Sequence, residues 1–117
     1  VYRPTDFIMN NKLTLKEKRQ RTIQRVAFII RQSKTFIKNS DIIGIMYNKY
    51  REELSQQEVR AIIHVIRKEN LVPNLIASSY GYRVEKDKLK VFAYTKKLEL
   101  RAKSIMQVAS AMRKHAR

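Results

Sequence analysis

The chain contains no cysteine. This excludes a disulfide framework, a cysteine-ligated zinc and a thiol nucleophile. It also removes any disulfide marker of compartment, so a cytoplasmic home is the default expectation. Glycine and proline number two each among 117 residues, too few for the many turns of an all-β fold. No apolar run approaches the roughly 18 residues of a membrane span, and no secretory signal is visible. Acids are scarce, 10 against 26 Lys and Arg.

The same scarcity argues against an enzyme. His64 and His115 are far apart in the sequence and lack a third ligand at metal spacing. The close acid pairs, Glu52-Glu53 and Glu85 with Asp87, read as ordinary surface charges, whereas metal-dependent nucleases need clustered carboxylates. There is no glycine-rich phosphate loop, and neither Ser55 nor Ser104 has a base at useful spacing. No catalytic residue, metal or cofactor is expected.

What is present is positive charge and a core. The formal charge is +16 and apolar residues make up 44%. A charge so large on one small domain creates a strong field whose usual partner is a polyanion. It is unevenly placed: residues 14–38 and 89–117 each carry a net +7, while residues 39–88 carry +1. The basic charge sits on the two ends.

The hydrophobic period gives the order of elements. Thr14-Leu15-Lys16-Glu17 has capping-box spacing, and a first helix follows on Ile23, Val26, Ala27 and Ile30, fading near Ser33-Lys34. Thr35 to Lys38 is β-leaning. Asn39 or Ser40 should cap a second helix with Ile42, Ile43, Met46, Tyr47 and Tyr50 on its core side. Gly44 there would permit close helix packing. Ser55-Gln56-Gln57-Glu58 is a second capping box, opening a third helix with Val59, Ile62, Ile63 and Ile66 buried. Only Arg51 to Leu54 join helices two and three, as in a helix-turn-helix. Leu75 to Ser78 and Tyr82 to Val84 read as strands around a Ser79-Tyr80-Gly81 turn. From about Asp87 to Lys114 the chain is helical again, with no Gly or Pro. The expected fold is therefore mainly α with a small β-hairpin wing, in winged helix-turn-helix order, with the Phe36-Ile37 stub completing a three-stranded sheet. Three parts are expected: an N-terminal arm over 1–13, with Phe7, Ile8 and Met9 able to dock, the winged-helix domain over 14–86, and a long basic helix over 87–117.

The stretch PNLIASSYGYRV, with the helix-turn-helix at 40–70 before it, resembles the compact wing of small winged-helix proteins of phages and prophages. There a short strand leads into a Ser-rich, Gly-containing tip, then an aromatic, then a long charged helix. The resemblance covers about half the chain. It implies DNA binding by a transcriptional regulator or a replication initiator of a phage or other mobile element, near a bacterial nucleoid. It implies nothing for the arm or the last helix.

In a winged helix the third helix enters the major groove. Its polar face holds Gln56, Gln57, Arg60, His64, Arg67 and Lys68, with Ala61 low between them. Gln pairs bidentately with adenine and Arg with guanine, so these are the candidate base-reading residues. Lys16, Lys18, Arg19 and Arg21 on helix one, and Ser79, Tyr80 and Arg83 on the wing, are the candidate phosphate contacts. The near-neutral middle fits this division, because phosphate contacts carry affinity and base contacts carry specificity.

A different class stays open: an interaction or architectural module whose basic helices bind RNA or an acidic protein. A membrane surface ranks last, since the last helix lacks a clean apolar face. Tyr94, Leu98, Ile105, Val108 and Met112 form a rough stripe on that helix. It is expected to serve partly for packing within the monomer and partly for a homodimer.

Overall fold

The computed structural model describes residues 13–116. The N-terminal arm expected over 1–13 lies outside them, apart from Leu13. The described residues form four helices and one hairpin: α1 (Leu15–Gln32), α2 (Asn39–Tyr50), α3 (Gln56–Lys68), β1 (Leu75–Ser78), β2 (Gly81–Val84) and α4 (Lys88–His115). The protein is thus mainly helical, with a small antiparallel hairpin and a long C-terminal helix. It divides after Val84 into two compact units.

The first unit is built on three amphipathic helices. Thr14 caps α1 by accepting the Glu17 N–H at 3.1 Å. Ser55 caps α3 by accepting the Glu58 N–H, while the Glu58 carboxylate accepts the Ser55 N–H, both at 3.1 Å. Each cap satisfies donors that a helix start otherwise leaves open. The apolar stripes then meet. Ile23, Val26, Ala27 and Ile30 of α1, Ile42 and Met46 of α2, and Val59, Ile62, Ile63 and Ile66 of α3 are buried together with Ile37, Val72 and Leu75.

The second helix departs from expectation in three ways. Its cap is Lys38, not Asn39 or Ser40. A lysine ammonium cannot accept a hydrogen bond, so the cap works through Asp41, whose Oδ2 accepts the Lys38 N–H at 3.0 Å. Asn39 instead begins the helix. Its Oδ1 is buried without a partner. Tyr47, expected in the core, is 46% exposed, its ring lying 5.5 Å from the Arg51 guanidinium. Gly44 mediates no close packing, because a Cβ there would meet nothing within 4 Å.

The hairpin pairs Leu75 with Val84, Ile76 with Arg83, Ala77 with Tyr82 and Ser78 with Gly81. The third strand is reduced to a single bridge. Ile37 N donates to Tyr82 O at 2.9 Å, and Tyr82 N donates to Ile37 O at 2.8 Å. Gly81 makes this possible. Its φ is +119°, and a Cβ would collide with the Ile37 carbonyl. The wide position is one only glycine takes without strain.

In the second unit, Asp87 caps α4 by accepting the Leu89 N–H at 2.9 Å. The helix runs 28 residues and has no buried side chain. Leu98, Ile105, Val108 and Met112 are exposed and Tyr94 is half-buried. Among the described residues the buried apolar core runs from Ile23 to Leu75, with Tyr82 and Val84 packed against it.

Candidate nucleic-acid interface

The stripe of α3 decides which of its residues face outward. Val59, Ile62, Ile63 and Ile66 are buried, so the helical turn of about 100° per residue leaves a polar arc opposite them. Gln56, Gln57, Arg60, His64 and Lys68 are all exposed on that arc, and Ala61 lies exposed among them. Arg67 does not belong fully to it. It follows Ile63 by four residues, at the border of the buried stripe, and is half-buried.

Lys16, Lys18 and Arg19 of α1 are exposed, whereas Arg21 is half-buried, with its Nε enclosed. Arg19 precedes buried Ile23 by four residues, so it continues the packed azimuth beyond the packed length. It comes to line a cleft of about 260 Å³ with Ala61 and Ile62 of α3. Glu52, Glu53 and Glu58 line the same cleft. These carboxylates would repel an anion beside Arg19, whereas Lys16 and Lys18 do not line this cleft.

Glu52 is not the ordinary surface charge its sequence context suggests. Its carboxylate accepts from Arg25 Nη1 at 2.9 Å and from the Thr22 hydroxyl. The Arg25 guanidinium in turn lies 4.3 Å from the Tyr50 ring. This ties α1 to the turn between α2 and α3 and so fixes the position of α3.

At the hairpin tip, Ser79 is exposed and Tyr80 is 69% exposed, with the Tyr80 N–H held by Ser78 Oγ at 3.1 Å. Phe36 organises this end. Its ring lies 5.9 Å from that of Tyr80 and 4.8 Å from the Arg83 guanidinium. Arg83 is half-buried. An aromatic in the β-leaning stub was the available signal for this role, and sequence reasoning assigned Phe36 only to strand pairing.

Among the described residues no group of three or more His, Cys, Asp or Glu could hold a metal ion, and no helix is long and apolar enough to cross a membrane. Comparison with known proteins returns no matching family model, curated protein or solved structure.

Proposed function

We propose that the protein is a sequence-specific double-stranded DNA-binding protein of winged-helix type, in which α3 reads bases and the flanking basic segments hold the phosphate backbone. The observation that carries this reading is the α3 face itself. Gln56, Gln57, Arg60 and His64 stand exposed on one arc, with residue types that match base edges in the major groove. The helix is held rigidly by a capping box and four buried aliphatics. Formal charge supports the same partner: +16 overall, concentrated outside the central segment. Lys16, Lys18, Ser79, Tyr80 and Arg83 then serve as backbone contacts. The role is that of a transcriptional regulator or a replication initiator of a mobile element, working in the cytoplasm on the nucleoid.

Selection of bound sequences from a random duplex pool, followed by titration at several salt concentrations, tests this. A defined motif should emerge. The logarithm of the binding constant should fall linearly with the logarithm of salt concentration, because each neutralised phosphate releases counterions. Tight binding with no motif would instead favour the architectural reading, in which the basic helices hold RNA or an acidic protein. A dyad in the motif points to the regulator, and direct repeats point to the initiator.

A further inference from the structure

Helix α4 carries a specific pattern along its length, exposed in its second half. Val91, Tyr94, Leu98, Arg101, Ile105, Val108, Met112 and His115 follow alternating steps of three and four residues, the a and d positions of a heptad repeat. Ile105, Val108 and Met112 are 59%, 58% and 69% exposed. The flanking e and g positions between them hold Thr95, Lys97, Ala102, Ser104, Ala109 and Ala111. They are small and, apart from Lys97, uncharged, so a second helix could approach closely. Half of the helix's eight Lys and Arg, namely Lys96, Lys103, Arg113 and Lys114, fall on the outer positions, while Lys88 and Lys90 flank the seam only at its start. A helix that served only to carry charge would need neither the repeat nor the small flanks.

We propose that α4 forms an antiparallel two-stranded coiled coil with α4 of a second copy of this chain. The seam is self-complementary when the helices cross at Lys103. Val91 then meets His115 of the second copy, Tyr94 meets Met112, Leu98 meets Val108, and Arg101 meets Ile105. Every a residue faces a d residue, as antiparallel packing requires. The parallel arrangement uses the same stripe but stacks Arg101 on Arg101 in one layer, two like charges with no acid between them. It also aligns the two helix dipoles, which the antiparallel pair opposes favourably. Arg101 is the single charge at a central seam position, and one polar residue there fixes orientation at a cost in affinity. This interface is independent of whether α3 reads bases.

The absence of cysteine makes the test clean. Leu98→Cys and Val108→Cys chains are prepared separately, checked by circular dichroism, and oxidised alone and as an equimolar mixture. Lys96→Cys serves as an outward control. Sedimentation of the unmodified chain over roughly 1–200 μM should show a monomer–dimer equilibrium. Because the outer cations repel, dimerisation should tighten as salt rises, opposite in sign to DNA binding. Mixed Leu98→Cys and Val108→Cys chains should link, since facing seam residues lie within disulfide reach. Each alone, and Lys96→Cys, should stay largely unlinked. Tyr94→Cys mixed with Met112→Cys gives a second reading should either first variant misfold. A chain that stays monomeric throughout overturns the proposal. So does Leu98→Cys linking to itself, which would mean a parallel pair, or a dimer in which neither mixture links.

Discussion

Arg25 Nη1 donates to Glu52 Oε1 at 2.9 Å across 27 residues of sequence, and with the Thr22 hydroxyl on the other oxygen it joins α1 to the segment that precedes α3. The pair is about a quarter exposed, 26% and 22% for the two side chains, so solvent weakens it without abolishing it. Glu52→Ala should lower stability by about 1–2 kcal/mol, in the range of hydrogen bonds to a charged group after solvent screening. Urea unfolding followed by circular dichroism measures it. An unchanged midpoint would mean that helix packing alone positions α3.

Gly81 carries a close backbone approach in the first unit. Gly81→Ala places a Cβ against the Ile37 carbonyl at a φ that disfavours any side chain. A loss of about 1–3 kcal/mol is expected, with proteolytic sensitivity rising first at the hairpin. Arg51 sits at the converse position, a φ of +54° without glycine. Arg51→Gly should leave stability equal or raise it by up to about 1 kcal/mol, since glycine removes the left-handed penalty.

The cap at Thr14, the capping box at Ser55, the α3 stripe and the existence of the hairpin were legible because each rests on residues near one another in sequence. The misreadings fall where a neighbour three or four residues away along the helix overrides the residue's own preference. Lys38 caps α2 because Asp41 can reach back to its N–H; residue preferences at the cap position itself point to Asn39 or Ser40. Tyr47 is apolar enough for a core, but the α2 stripe is narrow, holding Ile42 and Met46 fully, and Tyr47 falls beside Arg51 instead. Arg67 was counted with the polar arc by type, yet its azimuth is set by Ile63. The heptad of α4 is visible in the sequence as a rough stripe, and Ile105, Val108 and Met112 on it are exposed.

Substitutions on α3 and α1 should behave differently toward DNA. Arg60→Ala and Gln57→Ala should each weaken specific binding by about 1–3 kcal/mol if their contacts are bidentate, with little effect on random duplex. Lys18→Ala should weaken both alike and reduce the salt slope by about one ion. Competition titrations with the selected site and with random duplex separate the two patterns. Equal behaviour of Arg60→Ala and Lys18→Ala across sequences would remove α3 as the reading helix.

Removal of residues 102–117 tests the two units together. Among the described residues the buried apolar core lies between Ile23 and Leu75, and no α4 side chain is fully buried, so the shortened chain should still unfold cooperatively with its midpoint little changed. It loses Lys103, Arg113, Lys114 and Arg117 together with the second half of the heptad. Fewer cations near phosphate lower affinity and flatten the salt dependence, and loss of a dimer removes the gain from two linked reading helices. Binding to a selected site should fall at least tenfold, and the protein should sediment as a monomer at all concentrations. The two causes separate on charge-retaining variants: Ile105→Ser with Val108→Ser leaves net charge unchanged while removing apolar side chains from the seam. If that pair of substitutions reproduces most of the loss on a dyad site, dimerisation is the larger contribution. If binding holds there and falls only on truncation, the basic residues of α4 act directly on the backbone. Outright unfolding of the truncated chain would instead assign α4 a structural role.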